Sequence, residues 1–266
     1  MAAHLELALG RVARADTLLA LARELDPTAE LVVRGHLASI PFFPVPRAKL
    51  EELRTEFIEW NAEAVPPSED PRAIFSAHDG AYVFLREFLL GLLDVRLGDL
   101  KAATVRAASL RQVEGSGEAE ELARRLAGTL QASILWGRDD PASALRELEE
   151  LPVESQNRMG LVINSPFYSR VYERYLRAEL LREVGREEEA LRWYGSLEEN
   201  YPLYDLTYLA YSHLQRGEIQ EDLGRHELAE EHYTRAAELW QGCDSVFEPR
   251  RRRAEAGLGR LERNAA

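Results

Sequence analysis

The chain of 266 residues has one cysteine, Cys243, which excludes an intramolecular disulfide and leaves no CxxC pair for redox chemistry or zinc. It has no apolar run approaching the roughly 18 residues of a membrane span. Nor does it open like a secretory leader. In "MAAHLELALGRVARADTLLALAREL" a cationic start is missing, and Glu6, Arg11, Arg14 and Asp16 interrupt the apolar residues. A soluble, cytoplasmic chain is therefore expected. Positive charge is also short: 33 Lys and Arg stand against 46 Asp and Glu, a formal net charge of -13. That field repels polyanions, so nucleic acid is not an expected partner.

Motifs that carry chemistry are missing as well. The six histidines, His4, His36, His78, His213, His226 and His232, form no HExxH or HxxxH arrangement. His226 and His232 lie on different faces of a helix, so no metal site is expected. P-loop, GxSxG and GxGxxG patterns do not occur, and the "GSG" at 115–117 follows no strand that would present it to a phosphate. Runs of acids such as Glu187 to Glu189 and the pair Glu198 and Glu199 read as solvated helix faces. The run Arg250 to Arg253 reads as the solvated side of a helix paired with nearby acids, with contact to an acidic partner as the alternative. No catalytic residue and no cofactor are expected, and an all-helical enzyme is the least favoured reading.

What the chain does have is a recurring spacing. "GREEEALRWYGSLEENYP" places Ala190, Tyr194, Leu197 and Pro202 at fixed offsets from Gly185. Three of these recur after Gly224 as Ala229, Tyr233 and Ala236, and after Gly98 as Ala103, Ala107 and Leu110. The opening copy, after Gly10, has Ala15, Leu19, Ala22 and Pro27. Offsets of four and three residues put these side chains on one helix face. A further glycine precedes two copies by seven residues, Gly91 before Gly98 and Gly217 before Gly224, and Ala178 takes that place before Gly185.

This pattern resembles the tetratricopeptide repeat, a helix-turn-helix unit. The resemblance covers roughly residues 3–27 and 84–263, and it is most specific in the last two units. It implies an all-α, right-handed superhelix of antiparallel helix pairs, in which Gly91 faces Ala103 and Gly217 faces Ala229. The spacing departs from a regular array of about 34 residues per unit, because the matching alanines lie 88, 87 and 39 residues apart. Longer helices and inserted loops must separate the units. The whole, 1–266, is read as one repeat domain, with irregular units over 1–79, more regular ones over 80–246 and a capping helix over 247–263.

Within that frame, "TAELVVRGHLASI" and "PRAKLEELRTEFIEWNAEAV" form a helix pair joined by "PFFPVP", whose prolines forbid a continuous helix and whose phenylalanines call for a buried loop. "VPPSEDPRAI" reads as a linker. "AYVFLREFLLGLLDVRL" pairs with the helix after Gly98, and "EAEELARRLAGTLQASILW" with "PASALRELEEL", where Asp140 and Pro141 suit an N-cap and first turn. Residues 151–166 show no helical period. Ser165 and Pro166 start the next helix. "LYDLTYLAYSHLQRGEIQEDL" is a long one, and Ala254, Leu258 and Leu261 give the terminal helix its apolar stripe. Only "AAHLELAL" precedes Gly10, two turns where a full helix is expected, which suggests a chain cut from a longer one inside a repeat, with a truncated cap as the alternative.

Tyrosines crowd the first helices of the last two units: Tyr168, Tyr172 and Tyr175, then Tyr204, Tyr208 and Tyr211, with Tyr201 and Phe167 beside them. In tetratricopeptide arrays those helices line the concave surface, and members bind peptides there. The resemblance thus implies a partner-binding surface of these tyrosines with Glu179, Arg182, Gln215 and Glu218, while packing between repeats is the other reading of the same rings. Lysine and asparagine, which clamp a terminal carboxylate in this family, are nearly missing from these helices. Glu179, Glu183, Glu218 and Asp222 occur instead, so a basic or mostly apolar segment is the expected ligand, although Arg174, Arg182 and Arg216 offset the acids. The C-terminal repeats look like the tails of large bacterial signalling proteins, including serine/threonine kinases and transcriptional regulators. The expected function is a non-catalytic protein-protein interaction scaffold. The alternative is a self-associating scaffold that pairs two chains through the apolar opening segment or the tyrosine-rich face.

Overall fold

The computed structural model describes residues 2–65, 81–115, 117–151, 166–167, 169–199 and 202–265. Among them it is helical, with no strand. The helices are, in order, α1 (Ala2–Ala8), α2 (Val12–Leu25), α3 (Pro27–Ser39), α4 (Arg47–Glu59), a 3-10 turn (Ala62–Ala64), α5 (Ala81–Leu97), α6 (Leu100–Arg111), α7 (Glu118–Trp136) and α8 (Pro141–Glu149). After these come α9 (Val171–Glu183), α10 (Glu187–Glu199), α11 (Pro202–Asp222), α12 (His226–Leu239) and α13 (Glu248–Ala265). None of the described helices is long and apolar enough to cross a membrane. Tyr168, Tyr201, His78, the linker beyond Val65 and all of the aperiodic stretch between Leu151 and Pro166 lie outside the described residues. The helices form two compact units, Ala22–Glu173 and Met1–Leu21 with Arg174–Ala266.

The Ala22–Glu173 unit is built on α5, which packs against α3, α4, α6 and α7. Its Leu85, Phe88, Leu89, Leu90, Leu92 and Leu93 are all buried, as expected of a helix apolar on most of its circumference. Asp94 is the polar exception. Its buried carboxylate accepts from Arg54 Nε at 2.5 Å and Arg106 Nε at 2.7 Å, which ties α4, α5 and α6 together. Both charges are thereby paired where an unpaired one would be costly. Arg96 donates to the carbonyls of Ala38, Ile40 and Phe43 at 2.6, 3.1 and 3.2 Å. These bonds satisfy the backbone of the "PFFPVP" connection, whose Phe42 and Phe43 are buried as expected. Asp99 and Asp140 cap α6 and α8 by accepting from Ala102 N and Ser143 N, each at 3.0 Å.

Two expectations need correcting here. The side chain nearest Gly91 is Leu130 of α7, not Ala103: a Cβ on Gly91 would lie 2.3 Å from Leu130 Cδ2. The helix expected from Pro166 begins at Val171, after turns that end at Arg170 with φ of 59°. That left-handed residue stops a helix from running back into the preceding segment.

The second unit holds α10 to α13, most of α9, the N-terminal α1 and most of α2. Gly185 and Gly224 adopt φ of 75° and 72°, which lets the next amide reach back five residues, Arg186 N to Leu181 O and Arg225 N to Gln220 O, both at 2.8 Å. This is how a left-handed glycine ends a helix without leaving carbonyls bare. On α12 the nearest group to Gly217 is the ring of Tyr233, and Gly257 of α13 meets the other edge of the same ring. Tyr233 is fully buried between two bare stretches of backbone. Ala254 and Leu261 of the terminal helix are buried as the stripe predicts, and Leu258 is half-buried. The apolar opening segment is covered by its own chain: α1 packs on α11, burying Ala3, Leu7 and Ala8. Asp244 fastens the same region. Its amide donates to Gly10 O at 3.0 Å and its carboxylate accepts from Ala13 N at 2.8 Å.

Candidate interaction site

The tyrosines expected to share one surface fall into different surroundings. Tyr172 belongs to the Ala22–Glu173 unit, where its ring stands edge-on to Phe88 and its hydroxyl lies 3.4 Å from Ser133 Oγ. Burial pushes its pKa up to about 12. In the other unit the rings of Tyr175 and Tyr208 meet at a tilt of 46°, 5.4 Å between centroids, and are 1% and 0% exposed. Tyr204 is 2% exposed, with His4 edge-on at 5.4 Å. These rings fill the interior of the folded chain. Their packing follows from the repeat spacing, because residues three and four apart on α9 and α11 share the faces these helices bury.

Tyr211 differs from the others. It is half-buried, its ring lies 6.0 Å from that of Tyr175, and its hydroxyl donates to Glu179 Oε2 at 3.4 Å. Tyr194 of α10 donates to the other oxygen of Glu179. Burial, only partly offset by these two hydroxyls and by Arg182, raises the Glu179 carboxyl to about 7. One turn along α9, Arg182 donates to Gln215 and, at 3.0 Å, to Glu218 Oε2. Glu218 also takes Arg253 of α13, at 2.7 Å. The acids of this face are therefore engaged within the chain. Gln215 is buried, while Glu179, Arg182 and Tyr211 are half-buried.

One cation on the same face is not engaged. Arg250, in the first turn of α13, is half-buried with its guanidinium 5.6 Å from the Phe247 ring centre. Arg251, Arg252 and Arg253 have carboxylate partners in Glu248, Glu255 and Glu218. Arg250 has none among the described residues. Burial pulls its pKa below the usual arginine range, and Tyr211 and Tyr175 hold it up.

The chain matches no protein-family model, no curated protein and no solved structure. What the site can do must be read from its own chemistry. Among the described residues no three His, Cys, Asp or Glu side chains group as a metal ion would need.

Sequence reasoning placed Glu179, Arg182, Gln215, Glu218 and Tyr211 together, and the structure brings these five to one cluster. It does not add Tyr172 to it. Tyr194 was not among the residues expected here, while Arg250 and Arg253 belong to the run expected to pair with nearby acids or, alternatively, to touch an acidic partner. For the arginines a signal existed, because a basic run at the start of a helix that caps the last unit must point some of its members back toward that unit. A second feature also went unread. His213 and His232, on α11 and α12, are both buried with their Nδ1 atoms 3.2 Å apart. Burial first, and then nearby cations, lower each to about 4, so both rings are neutral at neutral pH and share one hydrogen bond.

Proposed function

We propose that the chain is a non-catalytic interaction scaffold of the tetratricopeptide type, and that it captures a segment of a partner protein on the face formed by α9, α11 and α13. Support for the repeat reading comes from the spacing itself and from what it does in the fold. The glycines end helices in the left-handed conformation, and Ala103, Ala190 and Ala229 are each 0% exposed, as a small residue at a close helix crossing must be. By the same resemblance the scaffold serves as a regulatory or sensory part of a larger bacterial signalling protein.

The observation that carries the binding reading is Arg250: a half-buried guanidinium on an aromatic shelf, without a carboxylate among the described residues. A desolvated cation of this kind gains a charge-assisted hydrogen bond, stronger than a neutral one, when an anion arrives. The ligand is therefore a segment with an acidic side chain or a terminal carboxylate, the opposite polarity to that expected from counting acids along α9 and α11. Counting missed it because Glu179 and Glu218 already have donors. Tyr211 supplies the apolar edge next to the cation, and Glu218 holds Arg182 and Arg253 beside it.

Selection from a random peptide library tests this. Sequences enriched on the wild-type chain should carry an acid, and their affinity should fall at least tenfold on Arg250→Ala, equivalent to about 1.4 kcal/mol, with an unchanged melting temperature. Enrichment without acids, or binding indifferent to Arg250→Ala, refutes the assignment.

A further inference from the structure

His213 of the histidine pair lines a cleft of about 480 Å³ on the α11 and α12 side of the same unit, together with five acids, Glu198, Glu227, Glu230, Glu231 and Glu238, and one cation, Arg235. We infer that this cleft binds an elongated organic polycation, a chain of ammonium or guanidinium groups. The inference does not rest on the reading of Arg250, because no residue is shared between the two sites.

Three observations support it. First, the carboxylates outnumber the cations that could satisfy them. Glu198 is paired with Arg216 at 2.7 Å, and Glu238 with Arg235 at 3.5 Å. Glu227, Glu230 and Glu231 are exposed and have no ion pair among the described residues. Second, the acids are spread along the helix. From Glu227 to Glu238 the axis rises about 16 Å, so they suit several separated positive charges better than one ion. Third, His213 is an independent pointer to a ligand. It is 4% exposed, and its Nε2 atom is buried without a hydrogen-bond partner, with Glu198 Oε1 3.7 Å away. A buried polar atom left without a partner is costly. In the tautomer where His213 Nδ1 donates to His232, Nε2 carries a lone pair beneath the cleft wall, on the side of Glu198. An ammonium or guanidinium N–H entering between Glu198 and α12 would donate to it and satisfy the atom the fold leaves bare.

The cation can come from a free polyamine or from arginines and lysines of a polypeptide. Calorimetric titration at low salt with spermine, and separately with a short capped peptide of three spaced arginines, distinguishes the sources by which binds more tightly. The expected result is saturable one-to-one binding of at least one probe, weakened at least tenfold in the Glu230→Gln, Glu231→Gln double variant. Both residues are exposed, so folding should be untouched, and an unchanged melt verifies this. The control is Glu24→Gln with Glu262→Gln, which removes the same charge from two exposed positions elsewhere. His213 ring proton shifts should move on saturation with the tighter probe. No binding of either probe at millimolar concentration, or equal weakening in the two double variants, overturns the inference. Loss of acidic-peptide binding in Arg250→Ala bears only on the other site.

Discussion

Tyr233 offers the sharpest test of the packing in the second unit. A methyl placed on Gly257 would lie 2.5 Å from Tyr233 Cε2 and 2.6 Å from Cζ, and one on Gly217 would lie 2.7 Å from Cδ1. Carbon atoms pack at about 3.5 to 4.0 Å, so the ring must retreat by roughly 1 Å. It has nowhere to go. Its hydroxyl donates to Glu221 Oε2 at 2.6 Å, and Arg260 grips the same carboxylate at 2.7 and 2.8 Å. Overpacking costs about 1 to 3 kcal/mol, while alanine in place of glycine inside a helix returns up to about 1 kcal/mol. The net expectation for Gly257→Ala is a loss of up to about 2 kcal/mol. Gly259, two residues along the same helix, is the comparison: its added methyl meets only Arg263 Nη1 at 3.4 Å, the mobile end of a long side chain. Gly259→Ala should gain the propensity term alone, about 1 kcal/mol. Urea denaturation followed by circular dichroism, at constant m, should therefore separate the two alanine variants by about 1 to 3 kcal/mol, with Gly257→Ala the less stable. In a Tyr233→Leu background the Gly257→Ala penalty should shrink, which a double-mutant cycle would register as coupling. If Gly257→Ala is as stable as Gly259→Ala, the packing of α13 over Tyr233 is not as described.

Burial holds the Glu179 carboxyl up to about 7, above its ordinary 4.5. The folded state thus binds the extra proton between these values, and stability falls as pH rises through that window. Asp205, raised to about 6 by burial against the pull of Arg174, adds a slope of the same sign at lower pH. Glu179→Gln should flatten the upper part, measured as urea midpoints on either side of about pH 6, and an unchanged slope would contradict the assignment. In the Ala22–Glu173 unit, Arg125 Nε bonds the 3% exposed Glu173 at 3.0 Å. Arg125→Ala takes one donor from this buried carboxylate, which also bonds Arg170, and should cost about 3 kcal/mol by the same assay. Deleting residues 247–266 removes Phe247 from Trp240, at 6.0 Å between rings, and uncovers Tyr233. The truncated chain should aggregate on light scattering, and a soluble chain with an unchanged melt would make this segment a mere tail.

Local pattern carried most of the helix bounds. The expected helix over 81–97 is α5 (Ala81–Leu97) itself, because apolar periodicity and Gly98 mark its extent. Asp140 caps α8 as its place before Pro141 suggests. Contacts between distant residues were a different matter. Gly91 was assigned to the neighbouring helix on repeat logic, and its true neighbour is one helix further on, since spacing says which face a residue occupies and not which element covers it. His213 and His232 lie on helices whose periodicity shows nothing unusual, and only tertiary packing makes them a buried pair. The four consecutive arginines are equivalent as sequence. What distinguishes Arg250 is which carboxylates α11 and α13 themselves bring within reach.

The clasp between Asp244 and the segment around Gly10 has a consequence for biosynthesis. Residues 1–21 and 174–266 form one unit, so its two parts leave the ribosome separated by the whole of the other unit. At roughly 5 to 20 residues per second, α1 waits about 10 to 45 seconds after emergence before Asp244 exists to hold it. Until α11, on which α1 packs, has been made, Leu7 and its apolar neighbours have no native cover, while the continuous stretch 22–173 can complete its own contacts. Nascent chains stalled before residue 202 and after residue 244 should therefore differ in how readily a chaperone or protease finds residues 1–21.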